Sequence, residues 1–263
     1  MKIALHGATG RMGAALVSLL RGAAAHDTIV GAMAEPGCDA VGRDLGEAHG
    51  LAPMGVTVHA DVASALLGAD VVLDFSRPAA VPALARAAAQ QRVALVSGTT
   101  GLQPDAMQAL DEAALSVPVL WAPNFSIGVH VLAQAVQLVA RKLGASFDVE
   151  VVEVHHRGKA DAPSGTAVRL AGEVHKARGP LRTVHGRQGV IGARPADELA
   201  VLAVRGGDVV GDHTVHFLGP GERLELTHRA TSREVLARGA MVAAKGLLGR
   251  KPGRYTLDDV IGA

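Results

Sequence analysis

The chain has 263 residues, and its 26 Lys+Arg against 25 Asp+Glu leave a formal net charge of +1. So even a balance provides no broad field for nucleic acid or a membrane surface, and neither is expected as a partner. A single cysteine, Cys38, excludes an internal disulfide framework and fits a reducing compartment, so the expected location is cytoplasmic.

The length fits two modest domains, each able to bury a core. Aromatic residues are only 2% of the chain while Ala and Gly abound, so that core must come from Ala, Val and Leu on closely approaching elements. The opening MKIALHGATG is interrupted by His6 and glycines and does not read as a signal peptide. No window approaches eighteen uninterrupted apolar residues, so no membrane span is expected.

Strand-like runs fall at 2–6, 28–34, 71–75, 93–97 and 117–121, separated by Ala-rich helical stretches such as 12–20 and 79–90. This alternation predicts an α/β fold with a parallel sheet and crossover helices, a Rossmann-type dinucleotide-binding domain over residues 1–126. After a helix expected over 127–143, VEVVEVHH, LAVLAVR, VVGDHTVHF and ERLELTHRA read as strands without regular intervening helices. They predict an α+β second domain over 127–233 with a mixed, largely antiparallel sheet. A helix at 234–248 and a short tail at 257–260 are expected to return to the first domain, so that 234–263 complete it.

IALHGATGRMG sets Gly7, Gly10 and Gly13 between the opening strand and its helix. Glycine lets backbone approach a pyrophosphate, and the helix amides and dipole favour its charge. A glycine turn needed only for tight packing would leave Glu35, at the end of the next strand, unexplained. There it can accept hydrogen bonds from adenosine ribose hydroxyls, which favours NAD over a 2'-phosphorylated cofactor. Arg11 is placed to meet a phosphate or stack on adenine, and a solvated first-turn arginine fits equally well. FSRP, SGTTG and APNFS belong at the carboxyl ends of later strands, where open parallel sheets bind ligands. Gly98, Thr99 and Thr100 offer partners for a nicotinamide amide, Phe75 and Phe125 either line the ring's pocket or fill the core, and Trp121 is assigned to the core.

In HHRGKADAPSGTA, residues 155–167, successive strand side chains alternate faces, so His155 and His156 are not expected to chelate one metal, and no metal is expected. The SGT opens a helical pattern over 164–177 whose first amides form an anion site, with Arg157 and Lys159 beside it. Such a cluster suits a small carboxylate substrate with an imidazole available for proton transfer; a solvated basic loop with a Ser N-cap is the bland alternative.

GATGRMG, SGTTG, APNFS and above all EVHHRGKADAPSGTA resemble the 4-hydroxy-tetrahydrodipicolinate reductase family, also called dihydrodipicolinate reductase, with echoes in VVGDHTVHF, GERLELTHRATSR and LDDV. The resemblance runs from the first strand to the final helix. It implies reduction of a cyclic imine dicarboxylate to tetrahydrodipicolinate by NADH or NADPH, in the diaminopimelate route to lysine, with hydride delivered to ring C4. His155 matches the family's proton donor and Lys159 its other proposed acid and carboxylate partner. His156, Gly165 and Thr166 match substrate-binding positions, and Thr100 is assigned to both ligands. Cofactor positions carry over to Gly7, Arg11, Met12, Glu35, Gly98, Thr100 and the backbone of Ala122, Pro123, Asn124 and Phe125, with Gly10, Gly13 and Thr99 in the same turns. The family also implies a homotetramer built through the second domain's sheet.

Directly after Glu35 stands Pro36, where relatives that use NADPH well often place an arginine. NADH is therefore the expected preference, with Arg11 or Arg43 as the groups that would serve NADPH. The rival readings are another carboxylate-substrate dehydrogenase of this architecture and a nicotinamide-dependent sensor. An aldehyde dehydrogenase would need a thiol in the substrate region, and Cys38 lies in the cofactor half.

Overall fold

The computed structural model describes residues 1–22, 27–232 and 234–261, so the expected domain limits at 233 and 263 lie outside the described residues. The chain divides into two compact units, Met1–Ser126 with Glu234–Ala263, and Ile127–Arg233.

The first unit opens with β1 (Lys2–His6), α1 (Arg11–Gly22) and β2 (Thr28–Met33). The short α2 (Leu45–Ala48), β3 (Val58–His59) and α3 (Val62–Ala65) follow. Then come β4 (Val71–Asp74), α4 (Val81–Gln91), β5 (Ala94–Ser97), α5 (Pro104–Ala113) and β6 (Pro118–Trp121). Each of β4 and β5 is buried along its whole length, as the two-sided cover of a parallel sheet requires. Helix α5 starts with Pro at its first position, where no intrahelical amide is lost, and buries Ala106, Ala109, Leu110 and Ala113 at helical spacing.

These strands, with β12 (Gly253–Tyr255) from the end of the chain, form a seven-stranded sheet in the order β12-β6-β5-β4-β1-β2-β3, and all its ladders are parallel. One face packs Leu5, Leu16, Val17 and Leu73 with Ala240 and Leu247; the other packs Leu84, Leu95, Leu110 and Val119. The strand order reverses between β1 and β4, so their carboxyl ends, His6 and Asp74, flank the crevice where such sheets take ligands.

The second unit contains α6 (Ile127–Leu143), β7 (Asp148–His155), α7 (Gly165–Arg178), β8 (Arg182–Val184), β9 (Glu198–Arg205), β10 (Gly211–Gly219) and β11 (Glu222–Ala230). Its sheet, in the order β11-β10-β7-β9-β8, is mixed: β10 is antiparallel to β11 and β7, while β9 is parallel to β7 and β8. Val149, Val151, Leu199, Val201, Val215 and Phe217 meet Leu132, Val136, Leu170 and Val174 of α6 and α7 in one core. A cation layer pins the loop after β8: Arg187 bonds Glu150 and Glu198, and Arg194 bonds Glu150 and Asp148.

Helix α8 (Glu234–Leu247) returns to the first unit, followed by β12 and α9 (Leu257–Val260), which starts with a Thr256–Asp259 capping box.

Candidate functional site

Two clusters stand out, one in each unit. In the first, a cleft of about 440 Å³ opens at the carboxyl ends of β1, β2 and β4, lined by Gly7, Gly10, Glu35, Pro36, Phe75, Ser76 and Arg77 among others. Gly7 sits at φ 76°, and a Cβ there would lie 2.6 Å from the Phe75 carbonyl oxygen; at Gly13 it would lie 2.0 Å from that of Ala8. Only glycine therefore lets the first turn pass this close to the neighbouring loop. The cleft's glycine floor, the amino end of α1 and the Glu35 carboxylate at its rim fit a dinucleotide. Arg11 and Met12 stand in the first turn of α1, exposed and half-buried, and neither lines the cleft.

Beneath the cleft lies a carboxylate that the sequence reading did not single out. Asp74, fully buried, takes hydrogen bonds from His6 Nδ1 at 2.8 Å, Ser76 Oγ at 2.6 Å, Ser97 Oγ at 2.6 Å and Thr99 Oγ1 at 2.9 Å. Burial raises its pKa, but the bonds from His6, Ser76 and Ser97 prevail and hold it below the usual range. Asp74 thus ties together the turns after β1, β4 and β5. The Thr99 hydroxyl is spent here, also accepting from the Ser76 amide at 3.0 Å, and its carbonyl accepts from Trp121 Nε1 at 2.9 Å. Its neighbour Thr100 is exposed. Gly98 exists to admit Phe75, whose ring carbon would lie 2.2 Å from a Cβ there. Phe75 both lines the cleft and packs edge-on against the buried Phe125, ring centroids 5.7 Å apart. In APNFS, Ala122 and Phe125 are buried, Pro123 is exposed, and Asn124 accepts from the Ser126 amide at 2.7 Å.

In the second unit, the helix-covered face of the sheet changes character along β7. Val149 and Val151 are core, and two residues further Glu153 and His155 stand on the same face. Register adds His213, opposite Glu153, and Arg205, opposite His155. Glu153 has no exposed surface; it accepts from His155 Nδ1 at 2.6 Å, from Arg205 at 2.7 and 2.8 Å, and from the Ser164 amide at 3.0 Å. Burial raises its pKa, but the Arg205 and His155 bonds overcome that and leave it at about 2. An ionised carboxylate only accepts, so Nδ1 of His155 carries its proton toward Glu153 and Nε2 is the nitrogen left for chemistry. Gly211 makes room for that nitrogen, since a Cβ there would approach it to 2.9 Å.

His213 lies edge-on to His155, centroids 5.1 Å apart, and bonds Ser164 Oγ at 3.0 Å. Burial, with the charges of His155 and Lys159 adding to it, lowers its pKa to about 4, so the His213 ring is neutral at neutral pH. Its Nδ1 is buried with no partner among the described residues. Ser164 caps α7 by accepting from the Ala167 amide at 3.2 Å, and the space above Gly165 is open. Lys159 is held by Asp161 at 2.7 and 2.9 Å, and Asp161 is lowered by that bond. His156 is half-buried and its amide donates to the Val209 carbonyl at 2.8 Å.

His155, Lys159, Gly165 and Thr166 are the residues that the sequence singles out in this region; the structure adds Glu153, Arg205, Ser164 and His213, joined to one another and to the start of α7 by hydrogen bonds. Among the described residues, no group of three or more His, Cys, Asp or Glu side chains is arranged to hold a metal ion, and no helix is long and apolar enough to cross a membrane.

A parallel sheet with a glycine turn at its switch point, joined to a mixed-sheet unit bearing an acid–base cluster beside a helix start, defines a nicotinamide-dependent oxidoreductase of the two-domain dehydrogenase class. Residues 1–125 match the model of the dihydrodipicolinate reductase N-terminus and residues 128–261 that of its C-terminus. The chain is 49% identical to the 4-hydroxy-tetrahydrodipicolinate reductase of Anaeromyxobacter dehalogenans (strain 2CP-C), over 99% of this chain and 97% of the relative. It is 48% identical to the enzyme of the same name from Myxococcus xanthus (strain DK1622), over 100% and 98%. Its fold superposes with a TM-score of 0.79 on a dipicolinate-bound dihydrodipicolinate reductase from Paenisporosarcina sp. TG-14, at 25% identity over 99% of both chains. The chain belongs to the dihydrodipicolinate reductase family.

Proposed function

We propose that this chain reduces 4-hydroxy-tetrahydrodipicolinate to tetrahydrodipicolinate in lysine and diaminopimelate biosynthesis, with NADH preferred over NADPH. The observation that carries the reading is the Arg205–Glu153–His155 array beside the start of α7, in a chain both of whose halves match the family. A bound nicotinamide nucleotide supplies the hydride.

The chain's own residues do the rest. Glu153 holds the His155 imidazole by Nδ1, so that the protonated ring delivers from Nε2 the proton that completes reduction. Lys159 exchanges its exposed partner Asp161 for a substrate carboxylate, and the first amides of α7, at Gly165 and Thr166, take a carboxylate with the favourable end of the helix dipole. His156 is assigned to the same substrate. On the cofactor side Gly7, Gly10, Gly13, Arg11 and Met12 form the phosphate turn, Gly98 and Thr100 with the backbone from Ala122 to Phe125 surround the nicotinamide, and Glu35 receives the adenosine ribose; Thr99, with its hydroxyl and carbonyl already bonded, is not a ligand partner but holds this turn in place. Glu35 and the absence of a basic group at Pro36 support the NADH preference.

A homotetramer is part of the reading: the sheet face away from α6 and α7 carries Val152, Leu202, Val204 and Leu218, all half-buried or exposed. A cytoplasmic location is part of it too, supported by the unpaired Cys38. The test generates substrate in situ from pyruvate and aspartate semialdehyde with the preceding synthase, and follows cofactor oxidation by absorbance with NADH and then NADPH. Substrate-dependent oxidation, faster with NADH, is expected; folded protein that binds NADH yet oxidises neither would overturn the assignment. Light scattering on the eluting protein would show four times the chain mass, and a monomer would remove the tetramer.

A further inference from the structure

Directly after Glu35, where a basic partner for a 2'-phosphate would stand, the chain has Pro36, and from sequence alone Arg11 and Arg43 are the candidates to replace it. The fold supplies a different residue. Arg77, 42 positions further along in the turn after β4, donates from a guanidinium nitrogen to Glu35 Oε1 at 2.7 Å, and both side chains line the cleft with Pro36 between the same walls. Neither Arg11 nor Arg43 lines it; Arg43 instead reaches the Glu47 carbonyl at 3.4 Å.

Resting on the reading that this cleft takes a nicotinamide dinucleotide, we propose that Glu35 and Arg77 act as one reader of the adenosine ribose, Glu35 selecting the 2'-hydroxyl and Arg77 the 2'-phosphate. With 76% of the Arg77 side chain and 60% of the Glu35 side chain exposed, the ion pair between them is weak and readily exchanged. Glu35 keeps Oε2 open among the described residues, so it accepts from ribose hydroxyls while Arg77 stays where it is. A 2'-phosphate brought to the same place meets a carboxylate and is repelled. It is also met by a guanidinium with four further N–H donors, whose planar fork matches phosphate as well as carboxylate and is drawn to the larger negative charge of the phosphate. Arg77 then leaves Glu35 for the phosphate. The cost of the carboxylate remains, which keeps NADH ahead, while Arg77 keeps NADPH within use. The basic group that Pro36 denies this chain is thereby supplied from the turn after β4, and Arg77 is a specificity-determining residue.

The test is a fluorescence titration of the intact protein with NADH and with NADPH, supported by displacement with adenosine 5'-monophosphate and adenosine 2',5'-bisphosphate, none of which requires turnover. Arg77→Gln, at an exposed position, should weaken NADPH and the bisphosphate about tenfold or more while moving NADH and the monophosphate less than about threefold, the effect of one lost charge-assisted bond. Arg77→Lys should restore part of the loss. Glu35→Gln should do the reverse, weakening NADH and leaving NADPH equal or tighter. In the wild type, added salt should weaken NADPH more steeply than NADH. Equal effects of Arg77→Gln on both cofactors, or none on either, would overturn the inference and leave the cofactor site standing. Wild-type protein that binds neither nucleotide would instead remove the cofactor reading on which the inference rests.

Discussion

Glu153 is the residue on which the acid–base cluster turns, and it was within reach of the sequence. It stands two positions before His155 on one strand, and the period of two puts both side chains on one face. Arg205 and His213 were not within reach, because they arrive from β9 and β10 by register across some fifty residues of chain. Glu153→Gln keeps the volume and removes the charge that fixes the imidazole; turnover should fall about a hundredfold, in the range of a general acid's contribution, with NADH affinity unchanged in a direct titration. A loss of NADH affinity to match would show a general collapse instead. Lys159→Ala should raise the substrate Michaelis constant and depress turnover while leaving cofactor binding nearly as it was. An equal loss of NADH affinity would move Lys159 into the cofactor site. Asp74 taught a different lesson: a charge ending the apolar run VVLD was visible, but its partners His6, Ser97 and Thr99 come from other strands.

Helix and strand positions followed the apolar pattern wherever an element was long enough to show a period. Strands β1, β4, β5 and β6 and helices α1, α4, α6, α7 and α8 lie within a few residues of their expected spans. The strands β3, β8 and β12, of two or three residues, carry no period of their own and form because a neighbouring strand offers free backbone groups. The glycines show the same division. Sequence places Gly13 in a phosphate turn, and the structure adds that α1 leaves the turn so closely that a Cβ would meet the Ala8 carbonyl. Gly13→Ala should therefore destabilise the chain by about 1–3 kcal/mol through overpacking, read as a lowered thermal midpoint. An unchanged midpoint would show that the turn has room to move. Gly239, in α8, carries a similar constraint, with a Cβ placed 1.7 Å from the Phe125 carbonyl oxygen, and nothing near it in sequence announces this.

Taken over the whole chain, the buried polar groups of the second unit set its response to acid. The His213 pKa, lowered by burial from 6.5 to about 4, makes the neutral ring part of the fold. Its contribution is present above about pH 6.5 and is lost as pH falls through 4. Glu153, lowered from 4.5 to about 2, contributes fully above 4.5 and loses that contribution as pH falls toward 2. Hydrogen-exchange protection of β7 and β10 should decline first between about pH 6.5 and 4 and again below 4.5, and His213→Gln should remove the upper step. Protection that stays flat down to pH 4 would show that His213 is solvated rather than buried.

Local pattern was enough for the class of fold, the division into a parallel half and a mixed half, the glycine turn, and the HHRGK and SGT segments, because periodicity and turn chemistry act over a few residues. The carboxylates that hold His155 and the turns after β1, β4 and β5 in place, and the arginine beside Glu35, depend on which strands become neighbours and in what register. That choice is made by burying two apolar faces of a seven-stranded sheet and one of a five-stranded sheet, a long-range packing outcome to which no short stretch of the chain contributes enough to be read alone.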